Sequence, residues 1–249
     1  MHHPFTFFER YIPGVTHENL FLVTSAFVAF LLVLVAISIY PRIKHAAKNV
    51  IPGRGVSIQS MFEVLIEVLA TFCDDVIGHG GRKYLPYLGT LFVFILISNL
   101  IGMIPGFLPP TEVWTIGASL ALISFITFNY YGIKEHGLGY FKHFVAPLSL
   151  SGIKNPFVMS LIAIPFIAFQ VLFISIESLS TALRPITLTI RITMNISADH
   201  AVLGVFSGLA PYLVPIPFMV LGLFVCLMQA FVFTLLSMVY ISMATAHDH

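Results

Sequence analysis

The chain has 249 residues, of which 58% are hydrophobic and only 9% charged, and its formal net charge is +1. Soluble domains carry about 25% charged residues, and a soluble fold this apolar would expose large adhesive patches. Composition therefore excludes an ordinary soluble domain, and no nucleic-acid partner is expected. The two cysteines, Cys73 and Cys226, lie in separate apolar segments and read as buried free thiols. No zinc-type spacing occurs, so neither a metal nor a cofactor is expected.

The first apolar run, 20–40, has the roughly 20 residues needed to cross the hydrocarbon core. It is too long for a cleavable signal and reads as a first span. Ile58–Ile77 is different. Glu63 and Glu67 are four residues apart and Asp74 follows seven later, so its acids share one helical face. That pattern predicts an amphipathic interfacial helix or a re-entrant segment rather than a span. The runs 84–107 and 113–131 are the second and third spans.

The fourth apolar run, 157–206, is too long to stand upright. Its 50 residues would extend about 75 Å as a helix, against a core of about 30 Å. No glycine lies between Gly152 and Gly204. Pro165 and Pro185 can kink a helix but cannot make a hairpin. One strongly tilted helix is expected, with Pro165 as the place for a break. Gly208, Pro211 and Pro215 mark a turn near Ala210, after which the fifth span, 211–243, runs back.

The expected fold class is thus an all-α polytopic membrane protein. It has five transmembrane helices and one amphipathic or re-entrant helix, the last two spans forming a tilted antiparallel hairpin. One membrane domain covers 1–249: an outer segment at 1–19, peripheral helices and loops at 20–155, and the hairpin at 156–249. Five spans place Arg42, Lys44, Lys48, Arg54, Arg82, Lys83, Lys134, Lys142 and Lys154 on one side and Arg10 alone on the other. Positive residues favour the cytoplasmic face, so the N-terminus is expected outside and the C-terminus inside.

Two arginines remain, and both lie in the fourth span. A cation at mid-bilayer costs at least about 2.5–3.5 kcal/mol and must face protein, water or a counter-charge. At about 100° per residue, Glu177, Ser180, Arg184, Thr187, Arg191 and Asn195 fall in a stripe about 80° wide. His200 falls on the opposite side, with Asp199 between. Glu177 lies about 20 Å inward of Arg191 along the helix and His200 about 13 Å outward. A carboxylate and an imidazole exchange protons, whereas a guanidinium stays charged. The layout is that of two half-paths separated by a positive barrier. With a turn at 210, Gln229 would stand level with Arg191, where its amide could orient the guanidinium.

These residues carry a family resemblance. ESLSTALRP at 177–185, LTIRITMN at 188–195, ADH at 198–200, MQAFVF at 228–233 and SNLIGMIP at 98–105 resemble the a subunit of F-type ATP synthases. The resemblance covers about 20–245. It implies a stator subunit whose tilted hairpin lies against a rotating c-subunit ring, with b-type peripheral stalk subunits and, indirectly, the catalytic head as further partners. It implies that Arg191 faces the ring carboxylates with Asn195 and Gln229 beside it. Glu177 would serve the inner half-channel, and His200 with Asp199 the outer one.

Three departures stand out. Met194 replaces a frequent glycine, Asp199 replaces a small residue, and Gly222 stands where the family often has a second titratable side chain. Asn99 and Glu112 are further candidates for the outer path, although Glu112 after Pro109–Pro110 also fits a plain solvated loop acid. No GxxxxGK[ST] motif occurs, so ATP chemistry is expected to belong to a partner. The rival reading is a secondary transporter or channel with a self-contained site, which would call for two repeated, interrupted halves; one polar hairpin and no repeat are present. A bacterial inner membrane is the expected location, with the mitochondrial inner membrane as the alternative.

Overall fold

Apolar runs of this length can satisfy their backbone N–H and C=O groups in lipid only as helices or closed barrels. The computed structural model describes residues 8, 19–46, 58–78, 80–104, 107–137, 156–209 and 215–245. Their regular elements are all helical: α1 (Leu20–Ala46), α2 (Ile58–Ile77), α3 (Leu85–Gly102), α4 (Trp114–His136), α5 (Pro156–Leu209) and α6 (Pro215–Thr245). Short 3-10 turns at Gly81–Tyr84 and Pro110–Glu112 precede α3 and α4. Five helices, all but α2, are long and apolar enough to cross a membrane, as expected.

The amphipathic pattern of α2 is realised in one continuous helix, without the reversal that a re-entrant segment would need. Leu65, Leu69, Phe72, Cys73 and Val76 join the core, while Glu63, Glu67 and Asp75 are exposed. Gly78 and Gly80, both with positive φ, turn the chain out of α2; a side chain there would strain the backbone. Arg82 Nε then donates to Asp74 Oδ2 at 2.8 Å. Lys83, also before α3, pairs with Glu135 at the end of α4. The charged corners of α2, α3 and α4 therefore meet at one end of the molecule.

The fourth apolar segment is a single helix. α5 runs 54 residues through both Pro165 and Pro185, so the break considered at Pro165 does not occur. Each proline removes one backbone donor and bends the helix rather than ending it. The expected turn at Ala210 lies outside the described residues, between the end of α5 at Leu209 and the start of α6 at Pro215.

The core forms where α3, α4 and α6 meet the middle of α5. Leu88 and Ile95 of α3, Phe128 of α4, Ile192 of α5, and Phe233 and Ile241 of α6 are its buried members. α1 is peripheral, packs on α3 and leaves an apolar groove of about 570 Å³ lined by Leu32, Leu65, Pro86 and Gly89 among others. Polar contacts fix helix pairs inside the apolar core. Ser124 of α4 and Ser237 of α6 share a hydrogen bond of 2.9 Å.

Gly117 sets the closest approach of α4 to α5. A Cβ at that position would lie 2.7 Å from Thr193 Oγ1 and 3.0 Å from Ile192 Cγ2. Gly89 is the contrast, since nothing lies within 4 Å of its would-be Cβ. Overpacking a tight contact costs about 1–3 kcal/mol. Gly117→Val is therefore expected to lower the temperature at which the chain dissociates or precipitates from detergent-solubilised membranes, and Gly89→Ala to leave it unchanged. Equal stability of the two variants would refute the close-approach role of Gly117.

Candidate functional site

The polar residues of α5 divide between two faces. Thr181, Leu188, Thr189, Ile192, Thr193 and Ile196 are buried against the rest of the chain. Ser180, Thr187, Arg191, Met194 and Asn195 are exposed. The face that carries Arg191 is thus one that the chain does not cover. Among the described residues no carboxylate pairs with Arg191.

Gln229 does not stand where the sequence suggested. Its Oε1 accepts a hydrogen bond of 2.8 Å from Asn195 Nδ2, one turn beyond Arg191. The reason is the hairpin's centre. Midway between Leu209 and Pro215 is position 212, two residues later than the expected 210, and a shift of two at the centre moves the facing partner by four. Gln229 is 4% exposed, and its Nε2 has no protein acceptor. The two amides form a fixed polar bridge between α5 and α6 beside the arginine.

Arg184 leaves the stripe. Its guanidinium lies over the rings of Tyr240, 5.1 Å from the centroid, and Phe128, 5.8 Å away. Helical position set only where its Cα points. The long stem swings the head onto aromatic faces, where a desolvated cation–π contact is worth about 2 kcal/mol. Glu177, nearer the N-terminal end of α5, is partly exposed and stands apart from the Arg191 cluster.

The C-terminal end of α5 brings His200 against Glu112, one of the further candidates that the sequence offered. His200 Nδ1 lies 3.2 Å from Glu112 Oε2, with side chains 23% and 26% exposed. Glu112 is therefore not a plain solvated loop acid: its carboxylate is in contact with the imidazole. The loop reaches α5 because it is pinned to α3. Thr111 is fully buried, and its Oγ1 donates to Asn99 Oδ1 at 2.6 Å. Gly102 also admits Pro109, whose ring would lie 2.6 Å from a Cβ there. The signal was the loop's shortness and its paired prolines, which hold the acid beside the helices.

Asp199 turns to α6 instead. A Cβ at Gly222 would lie 2.7 Å from Asp199 Oδ2, so the missing side chain of Gly222 makes the room that the Asp199 carboxylate fills. The two departures noted in the sequence are spatially one. Cys73 and Cys226 are both buried and free, as expected, and no group of three metal-ligating side chains occurs among the described residues.

Residues 22–242 match the family model for the ATP synthase A chain. The chain belongs to that family. It is similar to ATP synthase subunit a of Bdellovibrio bacteriovorus, 38% identical over 96% of both chains. It is also similar to ATP synthase subunit a 1 of Syntrophotalea carbinolica, 37% identical over the full length of both, and to ATP synthase subunit a of Geotalea uraniireducens, 39% identical over 80% of this chain and 78% of that one. The family is a membrane-sector component of ATP synthases, which displaces the self-contained transporter. Its bacterial members and the five spans make the chain a multi-pass membrane protein of bacterial type.

For an A chain the bridge at Asn195 and Gln229 is the testable geometry. Removing either amide strands the other, and a buried unsatisfied polar group costs about 1–3 kcal/mol. Asn195→Ala and Gln229→Ala are expected to be non-additive, with a coupling of about 1 kcal/mol in a double-mutant cycle on thermal dissociation of the complex. Simple additivity would remove the bridge.

Proposed function

We propose that the chain is the stator subunit of the membrane sector of a rotary ATP synthase. Two offset aqueous half-channels and a fixed arginine pass protons to and from the carboxylates of a c-subunit ring, coupling proton flow to rotation. The observation that carries this reading is Arg191. It is a permanent cation in a membrane span, on an exposed face, and among the described residues no carboxylate neutralises it.

The chemistry follows from solvation. A carboxylic acid on a rotor helix facing lipid stays protonated, because an isolated anion in hydrocarbon is too costly. Beside a guanidinium its anionic form is favoured and the proton leaves. The fixed cation blocks direct passage, so each proton rides the ring around. Each charge moved across 100 mV supplies about 2.3 kcal/mol. Asn195 and Gln229, bridged at 2.8 Å, keep the hairpin rigid next to the arginine while the ring moves past. Glu177 serves the cytoplasmic half-path. His200 and Asp199 serve the outer one, with Asp199 in the space that Gly222 leaves. The b-type stalk subunits hold the stator, and ATP chemistry belongs to the catalytic head.

Arg191→Ala is expected to abolish proton-driven ATP synthesis in inverted or reconstituted vesicles. Arg191→Lys should restore little, since a compact ammonium lacks the delocalised fork and loses its proton when desolvated. Synthesis at the parent rate in Arg191→Ala vesicles would overturn the mechanism.

Orientation follows from the nine positive residues on one side, a bacterial inner membrane with the N-terminus outside and the C-terminus in the cytoplasm. Trp114 is 49% exposed at the opposite end of the bundle from Arg82. A cysteine at Trp114 is expected to react with an impermeant maleimide only from outside, and one at Arg82 only from the cytoplasm. The native thiols are poor targets. Cys226 is buried, and burial, helped by the nearby Asp74 charge, pushes Cys73 up to about 11. Reversed labelling would invert the two half-paths.

A further inference from the structure

We infer that Glu112 is a positioning residue for His200: a loop carboxylate that holds the imidazole at the outer end of α5 in one orientation for proton exchange. The inference rests on the outer-route reading above. No residue of α6 supplies such a partner here, and the loop between α3 and α4 does so instead.

Glu112 is placed by construction. Pro109 and Pro110 fix the backbone of the loop, with Pro109 extended at φ −67° and ψ 129°. The Pro110–Glu112 turn then packs on α5, α3, α4 and the outer end of α1. The Thr111–Asn99 bond of 2.6 Å ties the residue just before Glu112 to α3, and Asn99 is itself 2% exposed. A carboxylate anchored in this way cannot swing into solvent as a free loop acid does. Its Oε2 meets His200 Nδ1 at 3.2 Å, with about a quarter of each side chain exposed. The pair is thus reachable from the outer solution while being held by protein. Asn99 Nδ2 is buried without a protein acceptor, a second polar group at the same end.

Little else there can hold charge. On its own helix His200 has Asp199 beside it, but Asp199 is seated against Gly222. The described part of α6 before Gln229 has Cys226 as its one titratable side chain, and α1 from Leu20 to Ser38, α3 from Leu88 to Gly102 and α4 from Trp114 to Asn129 have none. Among the described residues Glu112 and Asp199 are therefore the two acids able to influence the imidazole, and Glu112 is the one in contact.

A carboxylate against one ring nitrogen fixes the orientation and tautomer of an imidazole. The test is ATP synthesis against outer pH in reconstituted vesicles at fixed membrane potential and fixed inner pH. Rates are normalised to the amount of assembled complex, for the parent, Glu112→Gln, Glu112→Asp, His200→Ala and the Glu112→Gln/His200→Ala pair. In Glu112→Gln, which keeps the size of the side chain but not its charge, synthesis is expected to slow and its profile to shift from the parent's. Glu112→Asp, which keeps the charge, should shift it less. His200→Ala should slow synthesis and make the second change at Glu112 silent.

A Glu112→Gln profile that superimposes on the parent, with His200→Ala impaired, overturns this inference and leaves the outer route standing. A shift that persists undiminished in the pair also overturns it, since Glu112 would then act without His200. If His200→Ala itself matches the parent in rate and profile, the outer-route reading fails and this inference with it.

Discussion

A guanidinium that cannot lose its charge sits in the middle of a membrane span, on a face its own chain does not cover. Most of the architecture answers to that constraint. An arginine at mid-bilayer is tolerated when it faces protein, water or a counter-charge, and here the described residues provide no acid for Arg191. The back of the same helix is correspondingly secured. Ile192, Thr193 and Ile196 are buried, α4 approaches at Gly117, and Asn195 is tied to Gln229. A helix carrying an unmatched charge toward a partner needs a rigid support behind it, because any rotation of α5 would turn the charge elsewhere.

The fold was largely legible because lipid reduces the options. Span lengths and the one-sided acids of Ile58–Ile77 each correspond to an observed element. The 54-residue α5 followed from the lack of any glycine or turn cluster along it. The site was legible only as far as Cα positions determine it. The stripe of Ser180, Thr187, Arg191 and Asn195 is exposed as one face, since about 100° per residue fixes where short side chains point. Arg184 belongs to the same stripe by position, yet it stacks on Tyr240 and Phe128. A long flexible side chain goes where its head is best solvated, and the sequence of one helix does not contain its neighbours' aromatic rings.

The two remaining differences have one origin. Pairing Gln229 with Asn195 rather than Arg191, and Glu112 with His200, both depend on how chain segments return on themselves. A hairpin doubles any error in its centre, so two residues at the turn became four at the partner. The loop acid was ambiguous for the same reason. Whether Glu112 faces water or protein depends on the Thr111–Asn99 bond and the fit of Pro109 against Gly102, which join residues whose contact no local pattern announces.

The outer end also shows how a chain can keep a chemistry while moving the groups that perform it. Gly222 removes a side chain from α6, and the Asp199 carboxylate from α5 occupies the space it would have taken. His200 in turn is met by an acid from the loop. Proton exchange requires titratable groups of suitable spacing and access, and it is indifferent to which helix carries them. The arginine has no such freedom. Under the proposed function a proton carrier can be replaced by another within reach of water, but a charge that faces a rotor at mid-membrane has to project from the one helix whose open face lies there.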